Sequence, residues 1–157
     1  MVILMAVLSA LLMGGPHVEA GKCRVRISAT MAEGGKVPIA GLSLLLDLPP
    51  GVGVPTVEGS TRVRDSALVP TGGEGASLLV SGNFNAEAGT LAIAMAGAVR
   101  TGGDILSLEL EVRPGAAVTA GDLNRNLRVV KAAGVDVSDY QSVDLTDQVK
   151  VVARIPE

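Results

Sequence analysis

Histidine, cysteine and aromatic residues are almost missing from this chain, which holds one His, one Cys, one Phe, one Tyr and no Trp. A single cysteine excludes an internal disulfide, so the fold must be held by its core alone. The one histidine, His17, lies ahead of an expected processing site, and without it the commonest general base and the commonest transition-metal ligand are both gone. A Ser-His-Asp or Cys-His centre is then excluded, and no G-x-S-x-G, G-x-x-x-x-G-K-[ST] or H-E-x-x-H motif occurs. These absences point to a chain that is not an enzyme and needs no cofactor. Two aromatic residues do not make the flat platform on which sugar rings stack. Phe84 is expected in the core or at a corner.

Clusters of positive charge are lacking too. The net charge is −3, from 13 basic and 16 acidic side chains. Loss of residues 1–20 would remove one acidic residue, Glu19, and no basic one, leaving −2. Nucleic-acid binders concentrate Lys and Arg to displace counterions from phosphates, so nucleic acid is not an expected partner.

Apolar residues are abundant. Met1 to Met13 is interrupted only by Ser9 and is followed by Gly14, Gly15 and Pro16. This reads as the apolar region of a signal peptide, with Val18-Glu19-Ala20 placing the cut before Gly21. A membrane anchor is the competing reading, but a helical span needs about 20 apolar residues and this run is shorter. Lipid attachment at Cys23 is disfavoured by the charged Lys22 before it. The expected organisation is a signal peptide over 1–20 and one domain over 21–157. The mature chain would be periplasmic, at the cell surface or secreted, with no stable membrane span.

With 48% of its residues hydrophobic and 20 glycines, the chain is apolar yet often punctuated, which favours short strands joined by turns. Leu106, Leu108, Leu110 and Val112 alternate with Ser107, Glu109 and Glu111, the period of a strand with one wet face. Cys23, Val25, Ile27 and Ala29 alternate likewise with Arg24, Arg26, Ser28 and Thr30. Leu42, Leu44, Leu46 and Leu48 form a third apolar face, ended by Pro49-Pro50-Gly51. Further strands are expected over Val52–Glu58, Ser77–Ser81, Thr90–Ala96, Leu127–Lys131 and Val149–Ile155, with a turn at Thr71 to Gly75. Ala86 to Met95 reads as turn plus strand, since Gly89 interrupts it. A short helix within Asp122–Ala133, capped by Asp122, is left open. Strands at such spacing predict an all-β, two-sheet jelly-roll or immunoglobulin-like sandwich of about nine strands.

Two carboxylate-bearing stretches invite comparison with calcium loops. Asp122-Leu123-Asn124-Arg125-Asn126 has the first three ligand spacings, but Leu127 stands where Gly is needed and Ala133 where a bidentate Glu would close the site. Asp136, Asp139, Asp144 and Asp147 read more simply as a solvated connection. The outward positions Thr90, Ala92, Ala94 and Ala96 would form a smooth strip that a partner backbone can approach closely.

The order of segments resembles a cohesin-type domain, a nine-stranded jelly-roll of bacterial cell-surface assemblies related in fold to some carbohydrate-binding modules. Three stretches carry the resemblance: Ile39-Ala40-Gly41 leading into Leu42-Ser43-Leu44-Leu45-Leu46-Asp47, Gly89-Thr90-Leu91-Ala92-Ile93-Ala94-Met95, and Gly102-Gly103-Asp104-Ile105-Leu106-Ser107-Leu108-Glu109-Leu110-Glu111-Val112. The resemblance implies a protein-interaction module whose partner, dockerin-like or another envelope protein, sits on one sheet face. The matching positions fall near Ser43, Leu45, Asn83, Asn85 and Gly97, to which the strip adds Thr90, Ala92 and Ala94. Two alternatives stand beside it. One is a structural subunit that self-assembles by strand addition, through an exposed edge or the segment Lys22–Thr30. The other is a module that binds polysaccharide without aromatics.

Overall fold

The computed structural model describes residues 17, 18, 20–32, 35, 37–71 and 78–157. Residues 1–16 of the expected signal peptide, Gly72 to Gly75 of the expected turn and Ser77 lie outside them. Twelve strands are described: β1 (His17–Val18), β2 (Gly21–Met31), β3 (Ile39–Asp47), β4 (Val52–Gly53), β5 (Leu68–Pro70), β6 (Leu79–Asn85), β7 (Thr90–Val99), β8 (Gly103–Val112), β9 (Val118–Thr119), β10 (Leu127–Val135), β11 (Ser142–Asp144) and β12 (Val149–Arg154). A seven-residue helix, α1 (Ala120–Asn126), separates β9 from β10.

These strands make the all-β, two-sheet sandwich that the alternation predicts. One sheet has the order β11-β10-β3-β7-β6. The other runs β12-β2-β8, and the two short strands β4 and β5 share the far edge of β8. All pairings in both sheets are antiparallel, and β1 pairs with β9 in a separate ribbon.

The core lies between the sheets and is built by the predicted faces. Cys23, Val25, Ile27 and Ala29 of β2 are buried, as are Leu42, Leu44 and Leu46 of β3, Leu91, Ile93 and Met95 of β7, and Leu106, Leu108 and Leu110 of β8. Each such leucine contributes about 1.5–3 kcal/mol by leaving water. Phe84 joins them as expected, packed beneath Gly53, where a Cβ would stand 3.5 Å from its ring. A β-bulge between Ile27 and Ser28 of β2 places Ile105 of β8 as an extra residue, and it too is buried. Cys23 is 2% exposed in mid-core, and burial raises its thiol pKa, away from the reactive thiolate form.

Several boundaries differ from expectation for local reasons. The strand expected over Val52–Glu58 is confined to Val52–Gly53, because Pro55 has no N–H to give a ladder. The chain then turns, with Ser60 N–H donating to the Val57 carbonyl, and Thr56 bridges back to Val63. The helix left open within Asp122–Ala133 forms two residues earlier and ends at Asn126. Its cap is Thr119, not Asp122: the Thr119 hydroxyl accepts from Asp122 N–H while the Asp122 carboxylate accepts from Thr119 N–H, a capping box. Ala86 to Gly89 forms the expected turn, with Gly89 at φ +67 and the Asn85 side chain accepting from Ala88 N–H. Lys22–Thr30 lies inside β2, which pairs with β8 along Gly21–Ala29 but with β12 only along Arg26–Met31, so Lys22–Val25 keep one side without a strand partner among the described residues.

Candidate functional site

The predicted site residues gather on the outer face of the β11-β10-β3-β7-β6 sheet. Inward residues Leu42, Leu44 and Leu46 leave Ser43, Leu45 and Asp47 pointing out of β3, and the same alternation turns Thr90, Ala92, Ala94 and Ala96 outward on β7. Strand register then aligns them in rows. Asn83, Ala92, Leu45 and Arg128 form one row across β6, β7, β3 and β10. Ser81, Ala94, Ser43 and Lys131 form the next, and Asn85, Thr90 and Asp47 flank the first on the other side. Seven of the eight predicted positions therefore present side chains to one surface. Gly97 lies at its end, at φ +121, where a register shift between Ile39 and Gly41 bulges β7.

The face is smooth because β7 turns three successive methyl side chains outward. Ala92, Ala94 and Ala96 are exposed, with half-buried Leu45 and Ser43 beside them. Polar atoms around this strip are held in place. The Thr90 hydroxyl donates to an Asp47 carboxylate oxygen at 2.9 Å, and the Thr61 hydroxyl donates to the Asn83 side-chain oxygen at 3.4 Å. Arg128 approaches Asp47 at 3.8 Å, and Lys131 is a second exposed cation on the β10 side.

Arg128 and Lys131 were not among the predicted site residues, and the reason is a bulge. Three residues apart, they belong to opposite faces of a regular strand, but a register shift between Val129 and Lys131 returns both to the outer face. Ser81 was also missed: the strand expected over Ser77–Ser81 is β6, Leu79–Asn85, and its register with β7 sets Ser81 opposite Ala94.

The two carboxylate stretches are occupied with local hydrogen bonds. In α1, Asp122 holds the capping box and pairs with Arg125. The Asn124 side chain donates to the Ala153 carbonyl and accepts from Ala153 N–H, both at 2.7 Å, so it acts as a short strand along the edge of β12. In the β10–β11 connection, Asp136 accepts from the N–H and hydroxyl of Ser138, and Asp144 accepts from those of Thr146. These bonds stabilise the ionised carboxylates and lower the pKa of both. Asp139 accepts from Gln141 N–H. Among the described residues no group of three His, Cys, Asp or Glu side chains is placed to hold a metal ion.

Two shallow clefts, of about 280 and 350 Å3, flank the loop between β4 and β5. They share Val54, Thr56 and Glu111 and contain neither His nor Cys. Among the described residues no helix is long and apolar enough to cross a membrane. No protein-family model matches the chain, nor does any curated protein or solved structure.

Proposed function

We propose that this chain is an exported, non-enzymatic protein-interaction module, cohesin-like in its mode of action, which docks a partner protein on the outer face of the β6-β7-β3-β10 strands. The observation that supports it most is the alignment of Ala92 and Ala94 with Leu45 and Ser43 in a smooth patch, bordered by Asn83 and Asn85 on one side and by Arg128 and Lys131 on the other. Methyl side chains let a partner backbone come close, and exclusion of water there strengthens the few polar contacts at the rim. Leu45 is the anchor of such a contact, since affinity comes from a few well-buried side chains and not from area. No cofactor enters this mode of action.

The test starts with proteins from the envelope and culture fluid of the source cell, passed over the immobilised chain. A captured protein is then purified and titrated against the chain and its Ala94→Arg variant. The reading predicts a single partner whose binding is lost in the variant. Failure of every envelope and secreted protein to bind would count against it.

Self-assembly by strand addition is favoured by one observation. On β6, an edge strand, Leu79 is 73% exposed, and residues 61–63 bond the free side only along Gly82–Phe84 among the described residues. Electron microscopy separates the readings: filaments of the purified chain support self-assembly, and monodisperse monomers support a dedicated partner.

A further inference from the structure

We propose that the outer face of the other sheet, along β2 and β12, binds a linear anionic polysaccharide. This second surface lies on the opposite side of the sandwich and does not depend on the protein-docking reading. Lys22, Arg24 and Arg26 project from alternate positions of β2, and Arg154 and Lys150 from β12. Successive outward positions on a strand are about 6.7 Å apart and neighbouring strands about 4.8 Å apart, so these five cations trace a line roughly 27 Å long.

The carboxylates on this face lie to one side. Glu109, Glu111 and Asp104 all belong to β8. Lys22 and Arg24 share Glu109, at 3.3 and 3.8 Å, and Arg154 pairs with Asp104 at 2.5 Å. Arg26 and Lys150 have no carboxylate partner among the described residues. Five cations face three carboxylates here, although the whole chain carries −3. Arg26 also stands directly opposite Arg154, and like charges so placed destabilise a strand pair. A sequence that keeps a locally unfavourable pair on an exposed face is using it for something other than folding.

The shape of the charge selects the ligand class. Arg26 to Ala29 of β2 are paired on both sides, so at the centre of the cation line no backbone group is free to bind an extended peptide by strand addition, and recognition there must come from side chains meeting repeated anions. A planar anionic membrane laid on this face would also cover the β8 carboxylates and be repelled by them. A linear chain of carboxylated or sulfated sugars can follow the cations and pass beside that row. Guanidinium groups at Arg24, Arg26 and Arg154 suit such anions because they offer paired donors.

The test measures binding of the purified chain to polygalacturonate and to dextran sulfate, with unmodified dextran as the neutral comparison, across a range of salt. Both polyanions are expected to bind at low salt and dextran not to. The Arg26→Ser/Lys150→Ser double variant is expected to flatten the log–log salt dependence by about one for each cation removed and to weaken binding about tenfold. Thermal unfolding checks that the variant is folded. If it is not, Lys150→Ser alone, at an exposed and unpaired position, is expected to flatten the dependence by about one. Lys131→Ser, on the docking face of the opposite sheet, is expected to leave the binding of both polyanions and its salt dependence unaltered. The proposal is overturned by absence of binding to both polyanions at low salt, by unchanged binding in the folded variant, or by tighter binding to phosphatidylserine vesicles or polyglutamate.

Discussion

The outer face of the β12-β2-β8 sheet and that of the β11-β10-β3-β7-β6 sheet are built on the same inward pattern and differ almost completely outward. On the first, Lys22, Arg24 and Arg154 are paired with Glu109 and Asp104, and further charges stand between them. On the second, β7 exposes Ala92, Ala94 and Ala96, and charge is confined to the borders. Beneath both faces lies the same alternation of Leu, Ile and Val. Strand geometry explains why this is possible. Successive side chains point to opposite sides, so the inward set can fix the sandwich while the outward set varies without cost to the core. A difference between outer faces is therefore information about partners, and likeness between inner faces is information about stability.

That division can be broken first at the core. Leu44→Ala in β3 and Leu108→Ala in β8 remove equally buried side chains from facing sheets. Each is expected to lower stability by about 2–5 kcal/mol in urea unfolding. A cost below about 1 kcal/mol at either position would show that the two inner faces do not share one core.

Gly134 sharpens the same point from the side of backbone packing. A Cβ there would stand 2.5 Å from the Pro38 carbonyl oxygen and 2.7 Å from a Val37 methyl. Gly134→Ala is expected to destabilise by about 1–3 kcal/mol, by overpacking where β10 crosses the chain leading into β3. A neutral result in thermal unfolding would mean that this corner is looser than its distances imply.

Asn124 guards the edge of the charged sheet. Asn124→Ala leaves the Ala153 N–H and carbonyl without their side-chain partner and is expected to cost about 1 kcal/mol. Faster amide exchange at Ala153, with little change at Ile27 in the strand beside it, would confirm the local origin of the loss.

The smallest effect belongs to the β10–β11 connection, which borders the smooth face. The folded pKa values of Asp136 and Asp144 are lowered, first by the hydroxyls of Ser138 and Thr146 and then by their N–H groups. A carboxylate with a depressed folded pKa contributes stability above its unfolded pKa and loses it as pH falls through the folded value. The connection is therefore expected to loosen below about pH 4, near the ordinary carboxylate range, before the sandwich unfolds. Amide exchange at Ser138 and Thr146 measured against pH checks this, and replacing both carboxylates with Asn should remove the dependence.

The inward faces of β2, β3, β7 and β8 were legible in the sequence because alternation in a buried strand is read directly from residue type. What was not legible depended on irregular backbone. Arg128 and Lys131 share a face only because β10 bulges between Val129 and Lys131, and Ile105 reaches the core only through the irregularity opposite Ile27. The first residue of α1 was misplaced because Asp122 reads equally well as a cap and as the third residue of a capping box headed by Thr119. Of the candidate docking face, the β3 and β7 positions followed from period and the β10 border did not. That Arg26 faces Arg154 and has no carboxylate partner among the described residues was hidden as well, since it depends on which strand β12 joins.

The most direct measurement is a paired one on the Ala94→Arg variant, which places a long cation in the centre of the smooth face. Stability is expected to stay within about 0.5 kcal/mol of the parent chain, because the position is exposed and away from the core. Calorimetric titration with the purified partner is expected to show binding lost by at least about a hundredfold, on the scale of a disrupted interface centre. Undiminished affinity in a folded variant would contradict docking on this face.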